Sequence, residues 1–335
     1  MSIVVTRPGL MTTVQDLGRW GHQALGVPVS GPMDTRSHRL ANHLAGNTPR
    51  AATLETTLVG IGLTMRGRGR VAIAGCDCAV VIDGRTYDTP CVAVAEDGSR
   101  IDVGPCRRGA RAYIAIEGGI ATEVVLGSRA TDIRSGLGGL NGRALHASDE
   151  LPIGVERADP ATVAVARSFQ GRVRVKRQYA SRVPGHADRL RARHTVRLPH
   201  ATEATRLRVV PGPQARGVFD ALCTAPLTLT PRCDRVGYRF AADARLAVME
   251  GDLVSQPTVM GSVQITPSGE AILLMADRQT TGGYAQAAVV ISADLPVAGQ
   301  LVPGSRVHFE PCTYDAARTA WLEEEESLGI AGAVE

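Results

Sequence analysis

Apolar positions along the chain recur in short alternating runs, and long helical stripes are rare. Arg70-Val71-Ala72-Ile73-Ala74, Ala79-Val80-Val81-Ile82-Asp83, Val92-Ala93-Val94-Ala95 and Arg111-Ala112-Tyr113-Ile114-Ala115-Ile116 are such runs. Asp83-Gly84, Asp97-Gly98, Arg108-Gly109 and Gly118-Gly119 punctuate them. Short strands separated by turn residues at this spacing predict an all-β barrel or sandwich. Asp83-Gly84 predicts a two-residue hairpin, because both central positions of that turn take positive φ. The start, Met1 to Gly9, reads as a first strand and not as a signal peptide.

Helical signals are few. Asp34 is placed to N-cap a helix over Thr35 to Ala45, with Leu40 and Leu44 on one face and Gly46 as terminator. Phe219-Asp220-Ala221-Leu222 suggests a short second helix, and Tyr314 to Ser327 a C-terminal one. The acidic run Glu323 to Glu326 lies at the negative end of that helix's dipole, so fraying is expected there.

The chain has 335 residues, more than one hydrophobic core usually organises. The strand pattern lapses after about residue 155 and restarts at Leu207-Arg208-Val209-Val210-Pro211-Gly212. This predicts an N-terminal β lobe over 1–160, a basic connector over 161–205, and a C-terminal β lobe over 206–325 that carries the terminal helix. Between Arg167 and Arg197 only Asp188 is acidic. Apart from Phe169 near its start, Tyr179 is the one Phe, Tyr or Trp there that could stack on a base, so the stretch reads as a solvated connector and not as a nucleic-acid stripe.

Composition removes several chemistries. Of 37 basic residues a single one, Lys176, is lysine. No G-K-[ST] phosphate loop is possible, and Lys176 sits in the strand-like run Arg172 to Arg177, not in the exposed turn a biotin carrier needs. Anions must then be met by arginine forks, backbone N–H groups and hydroxyls. The seven cysteines are odd in number and contain no C-x-x-C pair, which argues against a disulfide framework or a zinc ribbon. Cys76 and Cys78 should share one strand face as small core residues. No apolar run approaches the ~18 residues of a membrane span. A cytoplasmic setting is expected.

Four loops mix glycine with charged or amide side chains. They are Thr12-Thr13-Val14-Gln15-Asp16-Leu17-Gly18-Arg19 with Gly26 to Asp34 behind it; Gly127-Ser128-Arg129-Ala130-Thr131-Asp132 with the glycine-rich 136–143; Cys233-Asp234-Arg235-Val236-Gly237-Tyr238-Arg239; and Asp277-Arg278-Gln279-Thr280-Thr281-Gly282-Gly283-Tyr284. The last follows the apolar strand Ala271 to Met275 and is the most specific, since a buried strand delivers adjacent polar side chains and then two glycines. Gln264 could face the same space. Asp16 and Arg19 could instead pair with each other, and Asp234 with Arg235. No Ser-His-Asp arrangement emerges, and His38 and His43 fall on different helix faces. General acid–base work would fall to Asp16, Glu55, Asp234 or Asp277.

Taken in order, T-V-Q-D-L-G-R, G-V-P-x-S-G-x-M-D with Ala41-Asn42 following, Leu54-Glu55, G-S-R-x-T-D, D-R-x-G-Y-R, V-M-G-S-V-Q and D-R-Q-T-T-G-G-Y resemble the allophanate hydrolase subunit 2 family, which is biotin-dependent carboxyltransferase-like. They span about residues 6 to 310. The resemblance implies two cyclophilin-like β-barrel lobes, mainly β with a few short helices. It implies a subunit of an ATP-dependent 5-oxoprolinase, working with a complementary allophanate hydrolase subunit 1-like chain and a possible third subunit. ATP with Mg would enter through the complex, with no biotin attached to this chain. In that reading Arg129, Arg235 and Arg239 hold carboxylate or phosphate, and Gln264, Gln279, Thr280 and Thr281 orient the lactam. Asp16, Arg19, Asn42 and Tyr284 complete the substrate-binding set, with Asp234, Asp277 and Glu55 as the carboxylates. The same resemblance also covers the carboxyltransferase subunit of a urea-type biotin enzyme and a non-catalytic antagonist of a kinase inhibitor.

Overall fold

In the computed structural model, residues 1–156, 198–199, 203–215, 217–242, 246 and 253–328 are described. Most of the expected connector, with Lys176, lies outside them. The chain divides into two compact units: Met1–Arg19 with Asp34–Val196, and Trp20–Met33 with Arg197–Glu335.

The strands of the first unit are β1 (Ser2–Arg7), β2 (Met11–Gln15), β3 (Thr53–Thr57), β4 (Gly62–Arg66), β5 (Gly69–Asp77), β6 (Ala79–Ile82), β7 (Arg85–Asp88), β8 (Cys91–Ala95), β9 (Arg100–Val103), β10 (Arg108–Ile116), β11 (Gly118–Ile120) and β12 (Glu150–Glu156). They form a seven-stranded sheet in the order β11-β12-β1-β4-β9-β6-β7 and a five-stranded sheet in the order β2-β3-β10-β5-β8. One core runs between them, built from alternate residues such as Ile3, Leu63, Ile73, Val80, Ile101 and Ile114. Each such side chain contributes roughly 1.5–3 kcal/mol when fully buried. Cys76 and Cys78 are in that core, as their spacing predicted. Asp83 (φ 48°) and Gly84 (φ 77°) turn β6 into β7, with Ile82 opposite Arg85.

The helix α1 (Thr35–Ala45) starts at Asp34, whose carboxylate accepts from the N–H of Ser37 at 2.8 Å and its hydroxyl at 2.6 Å. It ends at Gly46, which takes the left-handed conformation. Its apolar face, Leu40, Ala41, Leu44 and Ala45, packs on Ala72, Ala74, Val92, Tyr113 and Ala115. Alanine on both surfaces lets helix and sheet approach closely.

The second unit holds β13 (Thr205–Pro211), β14 (Leu227–Cys233), β15 (Gly237–Ala241), β16 (Gln256–Pro257), β17 (Ser262–Ile265), β18 (Ala271–Leu274), β19 (Thr281–Gly282), β20 (Ala285–Val290) and β21 (Arg306–Pro311). Seven of them close a barrel, β13-β20-β17-β18-β15-β14-β21, sealed by the parallel pairing of β13 with β21. Tyr238, Val263, Leu273 and the edge-to-face pair Phe240–Phe309 fill it. The short helices are α2 (Phe219–Thr224), α3 (Leu295–Ala298) and α4 (Tyr314–Ser327), the last capped by the Thr313 side chain. Strands β16 and β19 form a separate two-stranded ribbon. The protein is thus mainly β, as its alternation predicted. No helix among the described residues is long and apolar enough to cross a membrane.

Candidate functional site

The polar motifs gather in two places, one in each unit. In the second unit the chain leaves β18 but stays in register with the turn before β15: Met275 N–H donates to Val236 O at 2.9 Å and Asp277 N–H to Arg235 O at 2.8 Å. That register sets Arg235 against Asp277. Arg235 Nε and Nη2 donate to the two oxygens of Asp277 at 2.8 and 2.9 Å, and Nη2 also donates to the carbonyl of Gly31 at 2.6 Å. Both side chains are almost wholly buried. The segment Trp20–Met33 belongs to this unit, and through Gly31 the second half of the first motif meets the third.

Asp234 does something different. Its carboxylate accepts from the N–H groups of Val236 (2.8 Å) and Gly237 (3.0 Å) and shapes the exposed turn. It does not pair with Arg235. Two residues into β15, Arg239 Nη1 donates to Glu270 Oε2 at 2.5 Å, and Arg232 engages the same carboxylate.

Beyond Asp277 the loop turns outward. Gln279, Thr281 and Tyr284 are exposed, and Thr280 is half-buried. Thr258 holds the loop's base: its N–H donates to Thr280 O at 2.9 Å and its hydroxyl to Gln279 O. Arg278 turns inward and is 8% exposed. Its Nε reaches Thr258 O at 3.5 Å, the outer limit of a hydrogen bond. Burial pushes its guanidinium pKa down to about 10.

Val263 and Ile265 of β17 enter the barrel core, while Ser262 and Gln264 take the opposite face of the strand. Ser262 Oγ donates to Gln286 Oε1 (3.1 Å), and Gln286 Nε2 donates to Pro257 O of the ribbon at 3.1 Å. Gln264, 1% exposed, has a buried Nε2 with no hydrogen-bond partner among the described residues. A Cβ on Gly282 would lie 2.7 Å from that nitrogen, 3.3 Å from Gln279 Nε2 and 3.4 Å from Thr258 Cγ2, so glycine is what lets the ribbon approach the amides.

In the first unit Asp16 ties loops together. Its oxygens accept from Gly18 N–H (3.0 Å), Ser128 Oγ (2.5 Å) and Arg129 N–H (2.6 Å). Arg19, fully buried, donates to Val125 O at 3.0 Å and Ala130 O at 2.7 Å; the Asp16–Arg19 pair does not form. Arg129 Nε donates to Thr122 O at 2.9 Å. The glycine-rich loop packs on this segment: a Cβ on Gly138 would lie 2.1 Å from Ala130 O.

Glu55 on β3 and Asn42 on α1 are both buried. Glu55 accepts from the Tyr113 hydroxyl at 2.7 Å and pairs with Arg111 at 3.7 Å. Burial and the adjacent carboxylate push the Tyr113 phenol well above its ordinary value. Asn42 donates to Ala51 O at 2.7 Å and accepts from Asn47 Nδ2 at 3.0 Å. His38 lies beside them between Thr53 Oγ1 (2.9 Å) and Pro49 O (3.2 Å), its pKa lowered to about 4 by burial. The structure therefore brings Asp277, Arg235, Gln264, Gln279 and Thr280 together, and separately Asp16, Arg19 and Arg129. Arg278, Thr258 and Gln286 were not singled out by sequence reasoning. The only signal for Arg278 was its place inside the fourth motif. Among the described residues no three His, Cys, Asp or Glu side chains converge on a possible metal position.

Residues 25–311 match the family described as carboxyltransferase domain, subdomain A and B. The chain is 31% identical to a 5-oxoprolinase subunit of Escherichia coli over 96% of its own length and 94% of that protein. It superposes on the Kluyveromyces lactis urea carboxylase with a TM-score of 0.82 at 26% identity, covering 98% of this chain but 29% of that one. It superposes on the protein TTHA0988 with a TM-score of 0.72 at 34% identity, covering 92% of this chain and 56% of that one.

Proposed function

The chain belongs to the carboxyltransferase domain family, subdomains A and B, and on that premise we propose that it is a cytoplasmic subunit of an ATP-dependent 5-oxoprolinase. The reaction opens 5-oxoproline to glutamate with ATP and water, releasing ADP and phosphate. The observation that carries this reading is correspondence in length: the match to the Escherichia coli 5-oxoprolinase subunit runs nearly end to end in both chains.

The partner is a complementary subunit 1-like chain, and a third subunit finishes the hydrolysis. Neither nucleic acid nor membrane is among the proposed partners. Mg-ATP is bound through the complex, since this chain has one lysine and no phosphate loop. The polar loop Gln279 to Tyr284 meets the substrate, with Gln264, Gln279, Thr280 and Thr281 orienting the lactam carbonyl and amide. Asp277 acts by fixing Arg235 and the base of that loop.

A urea-type carboxyltransferase is the second reading, favoured by the superposition on urea carboxylase. The two are separated by reconstitution with the genetically neighbouring subunits. The proposal expects ATP hydrolysis that responds to 5-oxoproline and ignores both avidin and urea. Inhibition by avidin, or stimulation by urea in place of 5-oxoproline, transfers the chain to the second reading.

A further inference from the structure

The third and fourth motifs contribute three arginines whose engagements differ. Arg235 is consumed by Asp277 and the Gly31 carbonyl. Arg239 shares Glu270 with Arg232. Arg278 is as buried as a core residue, yet among the described residues its single hydrogen bond is the long one from Nε to Thr258 O, and no carboxylate pairs with it. Its terminal nitrogens make no hydrogen bond among the described residues and are not buried out of reach of solvent, so their N–H groups are open to a ligand.

A second, independent group points to the same place. Gln264 Nε2 is buried and without a hydrogen-bond partner among the described residues. Thr258 links the two: its carbonyl meets Arg278, and its methyl and the Gln264 amide both lie against Gly282. The buried unpartnered atom of Gln264 and the terminal nitrogens of Arg278 are donors, so a partner shared between them is an acceptor. Among the described residues Arg235 is already paired with Asp277, and Arg278 offers a single positive charge, suited to a monoanion. A guanidinium fork matches a planar carboxylate in two parallel hydrogen bonds.

We propose that Arg278, with the side-chain amide of Gln264, is the receptor for a small planar carboxylate at the base of the 279–284 loop. The chemical class follows from the donors alone. Naming the ligand as the carboxylate of 5-oxoproline rests on the proposed function.

The test titrates the full-length chain by calorimetry with 5-oxoproline, with 2-pyrrolidinone (the same ring without the carboxylate), with acetate and with inorganic phosphate. Carboxylates should bind, 2-pyrrolidinone should bind at least roughly tenfold more weakly than 5-oxoproline, and Arg278→Gln should abolish that preference. Arg278→Lys should retain part of it, since the charge survives without the fork. Gln264→Leu removes an amide nitrogen that makes no hydrogen bond among the described residues, so it should fold normally and weaken carboxylate binding several-fold. In the reconstituted complex the same variants should raise the KM for 5-oxoproline more than they lower kcat. Undiminished carboxylate binding by both Arg278→Gln and Gln264→Leu overturns the inference, as does a wild-type chain that binds phosphate in preference to carboxylates or binds no carboxylate. Binding of acetate that depends on Arg278, in a complex that 5-oxoproline does not stimulate, leaves the inference standing and rejects the oxoprolinase reading.

Discussion

Arg235 holds Asp277 by two parallel hydrogen bonds, at 2.8 and 2.9 Å, where neither side chain is more than 5% exposed. The pair joins the turn before β15 to the base of the loop that follows β18, and the Gly31 carbonyl completes the arginine's fork. Its first consequence is architectural: the loop carrying Gln279 and Thr281 starts from a fixed point.

Removing one member of that pair should therefore appear in stability before it appears in chemistry. Asp277→Asn leaves Arg235 charged and buried without its counter-ion, a loss that typically costs about 3–5 kcal/mol. The unfolding midpoint in urea should fall accordingly. Replacing both residues together, Arg235→Met with Asp277→Leu, should recover much of the loss, because both charges of the pair are removed together. An Asp277→Asn protein with an unchanged midpoint and no activity would instead give Asp277 a direct part in the reaction.

His38 predicts a pH dependence. His38 Nε2 lies 3.2 Å from the Pro49 carbonyl, which can only accept, and 3.4 Å from the Asn42 amide nitrogen; the nearer carbonyl favours the proton on Nε2, with Nδ1 accepting from Thr53. Burial lowers its pKa from 6.5 to about 4. The unfolded chain takes up this proton near pH 6.5 and the folded chain resists until about pH 4. The stabilisation is thus complete above about 6.5 and is lost as pH falls through that window, amounting to on the order of 3 kcal/mol. Denaturant midpoints between pH 7 and 5 should decline before most carboxylates titrate, and the His38 imidazole resonance should stay neutral at pH 5. A midpoint flat over that range, or an imidazole titrating near 6.5, contradicts the assignment.

Local rules made some of this legible in the sequence. The Asp34 cap, the Gly46 stop and the Asp83-Gly84 hairpin depend on residues within a turn of one another, and each forms where the spacing put it. The alternation of Val71, Ile73 and Ile114 likewise reported the strand face that enters the core. The partners of the charged groups were not legible. Asp234 adjoins Arg235 in sequence, yet strand register hands Arg235 to Asp277 across the barrel wall. Asp16 and Arg19, three positions apart, each find partners around residues 125–130 instead of each other. Which arginine of several is left without an acid depends on this long-range pairing, which is why Arg278 could not be told from Arg235 and Arg239 in advance.

The glycine-rich loop offers a paired test. Gly138 has φ 67°, and a side chain there would run into Ala130 O at 2.1 Å and crowd Arg19. Gly84 has a similar φ of 77° with nothing within 4 Å. Gly84→Ala should then bear only the backbone penalty, about 1 kcal/mol, whereas Gly138→Ala adds a clash with backbone and should cost several kcal/mol. Equal losses in unfolding free energy would mean that the loop moves aside freely and that its packing is not tight.

The exposed end of the fourth motif separates folding from function most cleanly. Gln279 and Thr281 project from a loop whose base is fixed by Thr258 and by the Arg235–Asp277 pair. Trimming exposed polar side chains usually changes stability by only about 0.5 kcal/mol. Gln279→Ala and Thr281→Val should thus melt within a degree or two of the parent chain and still assemble with the partner subunits. If these side chains orient the lactam, activity of the complex should fall by roughly tenfold or more for each lost hydrogen bond to a buried, charged or polarised substrate group. Thr281→Ser, which keeps the hydroxyl, should retain most of it. A large drop in melting temperature with normal activity in the folded fraction would make the loop a structural element, and the substrate would have to be sought around Asp16 and Arg129 in the first unit.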